Sequence, residues 1–242
     1  MSAGGRADPA TAERCDPIVP YDSGRDNTEA GQVWGKGLFL RSKNHTWWVT
    51  TFASGPKNSW LTYTADSSSA LVCLAWEIGV RRSPLAYVAL AGVSGYMAWG
   101  LSEYAFHRWL YHQPHGMLGD GHRIHHEDPL VLIAMPWFLT PTMVFGLWYL
   151  GSVMLRLPCF AAGLAGWLAG SVWYGPVHHS LHHGALRNPW LRTLRVSHRI
   201  HHQFPEFNFG VTMRLWDSVF GTRYRKRAHV PRVAGGRQPG RT

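Results

Sequence analysis

Hydrophobic and polar positions are spread very unevenly along the chain. Residues 1–67 are mixed in charge and rich in Gly, Ser, Asp and Thr, and the first thirty or so read as disordered. Trp34, Phe39, Trp47, Trp48 and Trp60 suggest that the later part of this segment rests on a membrane interface or another surface. Three uncharged runs follow, at 84–102, 129–155 and 158–177, of nineteen, twenty-seven and twenty residues. A membrane span needs about 20 apolar residues, so each run qualifies. Only Arg156 interrupts 129–177, and Arg156-Leu157-Pro158 reads as a tight turn. That pair predicts a helical hairpin, kinked near Pro136 and Pro141. A weaker run at 68–80 contains Glu77 and is followed by Arg81 and Arg82. It reads either as a short first span or as a buried interfacial helix.

The predicted fold is therefore all-α: an integral membrane bundle of three or four spans. The divisions are a polar N-terminal segment at 1–67, a membrane domain at 68–226 and a basic tail at 227–242. The run at 84–102 delivers the chain to one membrane face, and the hairpin leaves that face and returns to it. Residues 107–128 and 178–242 must then share a face.

Formal net charge is +10. Its location matters more than its size. Residues 184–242 hold twelve Lys/Arg against two acids, Glu206 and Asp217, a surplus of ten after the last apolar run. That is the pattern of a cytoplasmic, positive-inside tail. No zinc-finger, basic-zipper or RNA-module pattern accompanies it, so nucleic acid is not the expected partner. Cys15, Cys73 and Cys159 have neither metal nor disulfide spacing. Residues 1–20 lack a signal-peptide hydrophobic core, so no cleaved targeting segment is expected.

Thirteen of the fifteen histidines fall between 107 and 202. HRWLYH holds His107 and His112; HRIHH holds His122, His125 and His126. HHSLHH holds His178, His179, His182 and His183; a second HRIHH holds His198, His201 and His202. Helical residues turn by about 100° each, so positions i, i+3 and i+4 share a face. Neutral imidazole is the commonest nitrogen ligand of Fe, Cu and Zn, so each group can supply two or three ligands. His107 and His112 are the exception. At i, i+5 they must sit at a helix end, straddle a distortion or serve different metals. A single HxxH is ordinarily a surface or core-satisfied pair, but four such groups on one face call for a metal site. Structural zinc needs four ligands and usually recruits Cys, so this many His without Cys suggests two metals. Oxidising an unactivated C–H bond needs O₂ activated at a redox metal or organic cofactor, and zinc has no accessible redox step. A lipid chain sliding between helices could bring one methylene to such a site.

Four histidine groups divided by a hydrophobic hairpin resemble the membrane fatty acid hydroxylase/sterol desaturase superfamily, most closely its fatty acid 2-hydroxylase branch. The resemblance covers about 84–226. That branch has an HX₄H after a span, an HX₂HH before a hairpin, a Tyr-led HX₃HH and a final HX₂HH. Here these are His107/His112, His122/His125/His126, Tyr174 with His178/His182/His183, and His198/His201/His202. The segment NFGVTMRLWDSVFGT at 208–222 also looks like that branch. The resemblance implies four spans and a His-rich helical cap on the cytosolic side. It also implies two iron ions, with zinc as a substitute in structures, held by those eleven His. The reaction it implies is O₂-dependent hydroxylation of a lipid acyl chain within the bilayer. Electrons would come in trans from a cytochrome b5 or ferredoxin type carrier, since 1–67 cannot be a fused cytochrome b5. A sterol or carotenoid hydroxylase or desaturase shares the ligand set. A non-catalytic metal-binding protein or a b-type cytochrome would place ionisable or heme-binding residues within the spans, where almost none occur.

The chain departs from the branch at Arg123, where a small residue is usual, which would affect substrate access. His179 is extra, so the third set is either His178/His182/His183 or His179/His182/His183; the Tyr-led spacing favours the first. Glu103 reads as an acceptor orienting His107 or as a boundary polar group. Asp217 reads as a supporting acceptor or an Arg partner, and Tyr174 as a partner of the site or an interfacial anchor. His45, His115 and His229 are not expected to be ligands.

Overall fold

The structure is a computed structural model that describes residues 49–113 and 116–225. The polar segment 1–48 (with Trp34, Phe39, His45, Trp47 and Trp48), His115, and the tail 227–242 with His229 lie outside the described residues. Four long helices form the bundle. α1 is Gly55–Ala75, continued by a wider π turn, Trp76–Val80; α2 is Leu85–Ala105, continued likewise by Phe106–Tyr111. α4 is Leu139–Trp148, continued by Tyr149–Met154, and α5 is Phe160–His183. The shorter α3 (Met117–Glu127), α6 (Pro189–Gln203) and α7 (Leu215–Val219), with a π turn at Val49–Ala53 before α1, complete the described helices. No β-strand occurs among the described residues, as expected.

Two of the apolar runs, 84–102 and 158–177, became α2 and α5. The run at 129–155 did not become one long kinked span. Its first ten residues are non-helical, and α4 starts at Leu139. Pro141 falls in the first turn of α4, where a missing N–H costs nothing, so neither proline kinks a helix. The segment before it is instead tied to the start of α1. Gly55 N–H donates to Leu132 O at 3.0 Å and Ala134 N–H to Ala53 O at 2.9 Å. Asn58 Nδ2 and Thr62 Oγ1 donate to Met135 O at 3.0 and 2.9 Å. These bonds satisfy backbone that would otherwise be left bare in an apolar setting.

The weak run at 68–80 is the second half of α1. The helix reaches back to Gly55, with Pro56 in its first turn, and packs along α5 and α4. The apolar signal missed this because the helix buries Asn58, Asp66 and Ser69 rather than a continuous apolar stripe. Arg81 and Arg156 meet at the end of the bundle away from the histidines, where Arg81 Nη2 donates to Arg156 O at 3.4 Å. The Leu155–Cys159 connection is the tight turn expected, with Arg156 and Cys159 at φ 52° and 53°.

α2 and α5 form the most extensive helix pair. They approach so closely that a Cβ on Gly95 would lie 1.9 Å from Gly163 O, and one on Gly166 would lie 1.9 Å from Gly92 O. Small residues at such crossings let backbones touch where burial of apolar area gives little drive. Gly166→Leu is expected to force the two helices apart and cost about 3 kcal/mol or more. The check is the yield of monodisperse protein in detergent; an unchanged elution profile and melting temperature would contradict the packing. The outer faces carry Leu71 and Val72 of α1, Leu90 and Val93 of α2, and Met143 and Leu147 of α4, all exposed. Such a girdle suits lipid rather than water. Among the described residues, Leu85–Tyr111 is the helix long and apolar enough to cross a membrane, and Leu139–Met154 is a shorter apolar one.

Candidate metal centre

All four histidine boxes meet at one end of the bundle, as the chain topology required. α2 brings His107 and His112 in its last, widened turn. About one extra residue per turn is what lets an i, i+5 pair share a face. Their rings stack at 5.4 Å and both join one group. α3 and α6 bring the HRIHH boxes. α6 is held in place by Asn188, whose Oδ1 accepts from Trp190 N–H at 2.8 Å, with Pro189 in the first turn. Arg195 fastens α6 to the end of α5 by donating to Ser180 O at 2.8 Å and to Gly184 O.

The first group is His107, His112, His122, His126 and His201; the second is His125, His178, His182 and His198. His202 joins the second through its Nε2, 3.1 Å from that of His198. The two HRIHH boxes are thus split in opposite senses. On α3 the i, i+4 pair His122/His126 serves the first group and His125 the second. On α6 the i, i+4 pair His198/His202 serves the second group and His201 the first. Each box bridges both groups, and the rings of His126 and His202 stack at 4.4 Å between them. His183 stands apart: it stacks on His179 at 4.3 Å and belongs to neither group. Of the third box, His178 and His182 are delivered to the site, and the choice between His178 and His179 falls to His178.

The ligand nitrogens of each group converge within 4.8 Å of one another, as a metal ion would require. Nε2 of His122 lies 3.1 Å from His107, 3.2 Å from His112 and 2.9 Å from His126; Nε2 of His201 lies 3.2 Å from His112 and from His126. In the second group the Nε2 of His198 lies 3.0 Å from His178 and 2.8 Å from His182. An ion with nitrogens at about 2.1 Å holds neighbouring ligand atoms roughly 3.0–3.4 Å apart. His107 Nδ1–H donates to Phe209 O at 2.5 Å, and His201 Nδ1–H to Phe207 O at 2.8 Å. A carbonyl only accepts, so the proton of each ring is on Nδ1 and Nε2 presents a lone pair. The Nε2 lone pairs of His107 and His201 are thus free to accept a metal ion among the neighbouring imidazoles. His125 Nε2 is likewise buried without a partner among the described residues. Burial, reinforced by neighbouring imidazoles, holds His126 down to about 4 and His202 to about 2, and lowers His122, His125 and His198 as well. The rings are therefore neutral and ready to ligate. Both groups fit metal binding by all-nitrogen donor sets, without an acid in either.

This burial has a cost below neutrality. The unfolded chain takes up protons at about pH 6.5 that the folded site refuses until about pH 4, so stability rises with pH across that window and is lost as pH falls through it. Metal-free protein is expected to melt at progressively lower temperature as pH drops from 7 to 5, in a detergent thermal scan; a flat profile would show the rings are solvated.

The supporting residues differ from the simplest sequence reading. Glu103 does not touch His107. It accepts from Val211 N–H at 2.5 Å, from Thr212 N–H at 2.8 Å and from the Thr212 hydroxyl. Asp217 feels the charge of Arg214 but spends its oxygens on backbone and hydroxyl donors. Its Oδ1 accepts from Phe209 N–H and Thr222 Oγ1, both at 2.8 Å, and its Oδ2 from Gly210 N–H at 2.9 Å. Together they clamp the 209–212 backbone whose Phe209 carbonyl aims His107. Tyr174 packs on His178 at 5.3 Å. Arg123 faces outward, 3.0 Å from Glu127, and takes no part in the cavity wall. The Phe207 and Phe209 carbonyls escaped the sequence reading because a backbone acceptor has no residue signature; the NFGVT segment was the available hint.

A cavity of about 170 Å³ opens from the histidines between α1, α2, α5 and the 129–136 segment. Trp99, Tyr63, Leu132 and Met135 make its wall largely apolar, and His107, His122, His125, His178 and His182 close one end.

A sequence model of the fatty acid hydroxylase family matches residues 92–222. A dihydroceramide fatty acyl 2-hydroxylase of Arabidopsis thaliana is 31% identical over 163 residues, covering 63% of this chain and 68% of its own length. A ceramide very long chain fatty acid hydroxylase of Saccharomyces cerevisiae is 30% identical over 77% of this chain and 48% of its own, and the fatty acid 2-hydroxylase of Homo sapiens 28% over 74% and 48%. The chain thus spans about half the length of the last two. The solved structure of full-length scs7p, in which only the hydroxylase domain is visible, superposes with a TM-score of 0.57 at 30% identity over 69% of this chain and 70% of that one.

Proposed function

The chain belongs to the fatty acid hydroxylase family, and on that premise we propose that it is an O₂-dependent oxygenase that hydroxylates the second carbon of a lipid-borne acyl chain. The observation that carries this is the junction of two all-imidazole groups with one end of a largely apolar cavity. Two irons are the proposed occupants. His107, His112, His122, His126 and His201 would hold one, and His125, His178, His182, His198 and His202 the other. When bound, the metals supply the redox chemistry with O₂ that an unactivated C–H bond requires.

The chain's own residues do the rest. The Phe207 and Phe209 carbonyls fix ring tautomer and aim, so each lone pair is preset for the ion. Interleaving of the α3 and α6 boxes keeps the two groups adjacent. The cavity wall excludes water and lines an extended chain up with the histidine end. The reaction turns one C–H into C–O–H and reduces the second oxygen atom to water, so it needs two electrons and two protons. A one-electron carrier of the cytochrome b5 or ferredoxin type is the proposed source. The histidine end is assigned to the cytoplasmic side on the strength of the basic residues after α5. The catalytic domain is taken as 68–226 extended back to Gly55, since α1 packs along α5.

The test is elemental analysis of protein purified in mild detergent without chelators or nickel resin, followed by turnover with a reductant and a lipid panel. Two irons per chain and a product heavier by one oxygen atom are expected. Iron-loaded protein that oxidises no acyl lipid would overturn the reading.

A further inference from the structure

Three arginines stand at the end of the bundle away from the histidines, and neither the metal groups nor the cavity uses them. Arg81 and Arg82 lie in the turn between α1 and α2, and Arg156 in the turn between α4 and α5. All three are exposed. The two turns are in contact, since Arg81 Nη2 donates to Arg156 O at 3.4 Å. Residues 78–102 and 129–177 contain no Asp or Glu, so the acid nearest in sequence is Glu77. Glu77 is 1% exposed, and its Oε1 accepts from Ser83 Oγ at 2.5 Å. The ion pairs among the described residues are those of Arg123 with Asp120 and Glu127, and none involves these three arginines.

Both turns are built alike, and neither favours arginine. After the widened last turn of α1, Ser83 N–H donates to Glu77 O at 3.2 Å; after that of α4, Leu157 N–H donates to Gly151 O at 2.8 Å. Each bond reaches back six residues and closes a helix cap. The residue before each donor lies in the left-handed region, Arg82 at φ 51° and Arg156 at φ 52°. Glycine is the usual occupant there, because a Cβ is disfavoured. A cation near a helix C-terminus suits the dipole, but one placed in the last turn would do so without strain. An arginine in each of two touching caps therefore answers to something outside the backbone. Around them Val80, Leu85, Met154 and Leu155 are exposed, with Tyr87 and Tyr149 close by in sequence and also exposed. Apolar faces topped by tyrosines and arginines form the layering of a lipid–water boundary. The abundant acceptor at that depth is phosphate, which a guanidinium matches with two parallel hydrogen bonds.

We propose that Arg81, Arg82 and Arg156 bind the phosphate of an anionic phospholipid in the leaflet opposite the histidine end, and that this lipid ties the two turns together. Charge and place fix the occupant. Three cations without an exposed acid among them call for an anion, and the apolar helix faces beneath them call for one that carries acyl chains. A zwitterionic lipid presents the same phosphate but brings its own cation to it, so it competes poorly. With the histidine end on the cytoplasmic side, these arginines run against the usual charge bias of membrane spans. A bound anionic lipid supplies the missing counter-charge. The site is remote from the metal groups, so its occupancy is measured without turnover.

The experiment titrates full-length protein, stripped of lipid in neutral detergent, with phosphatidylglycerol or with phosphatidylcholine of the same acyl chains. Retained lipid is counted by native mass spectrometry. Each arginine near a charged lipid surface is worth about fivefold in affinity, so phosphatidylglycerol is expected to bind roughly 100-fold more tightly than phosphatidylcholine. Arg81→Gln/Arg82→Gln/Arg156→Gln is expected to bring the two lipids within a few fold of each other. Arg192→Gln/Arg199→Gln, on α6 at the other end, is expected to keep the preference. Arg82→Gly covers the case of a triple variant that fails to fold. It is expected to lose about fivefold in phosphatidylglycerol affinity yet to melt no lower without lipid, because glycine suits φ 51°. Equal binding of the two lipids by the unaltered protein overturns the proposal. So does a preference that survives the triple change, or one that falls only with the α6 change. An Arg82→Gly variant that melts lower and binds lipid as before shows the arginine serving the cap alone, and overturns it too. Glycerol phosphate at millimolar concentration is expected to leave the lipid bound; full displacement would mean a site for soluble phosphate and sink the lipid assignment.

Discussion

His201→Ala is expected to strip iron from the first group and lower turnover by well over 100-fold, while His183→Ala keeps its full metal content and most of its rate. His201 is fully buried, its Nε2 lies 3.2 Å from those of His112 and His126, and its Nδ1–H is committed to Phe207 O. Removing a ligand outright should exceed the 10–100-fold effect typical of losing a group that only orients one. His183 pairs with His179 and reaches neither cluster. Elemental analysis of the two variants beside the unaltered protein, with circular dichroism to confirm helix content, separates the cases. Two irons retained by His201→Ala, or iron lost from His183→Ala, would break the assignment of the third and fourth boxes.

Asp217→Asn should be nearly as damaging although it changes no ligand and no volume. Asp217 is fully buried and receives three donors, Phe209 N–H, Gly210 N–H and Thr222 Oγ1. An Asn can offer one carbonyl oxygen; its amide nitrogen must face at least one N–H, donor against donor. The expected cost is about 2–4 kcal/mol of stability. Because the displaced backbone carries the Phe209 carbonyl that orients His107, iron affinity should also fall roughly 10–100-fold. The measurements are the melting temperature and the iron retained after dialysis against a weak chelator. A variant that melts earlier yet holds iron as tightly would show that the clamp serves the fold alone.

How much of this was legible in the chain depends on the kind of signal. α2 and α5 were readable because their runs at 84–102 and 158–177 are uninterrupted, and uncharged length is what a bilayer selects. α1 was half-hidden, since Asn58, Asp66 and Ser69 face inward toward a loop and a cavity, so polarity there marks an interior. Residues 129–138 misled in the opposite way. They are as apolar as a span but are held by Gly55, Asn58 and Thr62, seventy or more positions away.

The histidines show the same division. Their number, their lack of cysteine partners and the hairpin between them determined that histidine clusters able to hold metal would gather at one end of a helical bundle, because spacing along a helix fixes which rings share a face and connectivity fixes which helix ends meet. The sequence could not say that each HRIHH box serves both groups, that His107 and His112 share a group, that His183 is left out, or that Asp217 and Glu103 hold the 209–212 backbone. Those outcomes depend on helix crossing, on the widened last turn of α2 and on where a distant loop places its carbonyls. Such contacts between remote parts of the chain leave no period or spacing behind, so only the tertiary structure decides them.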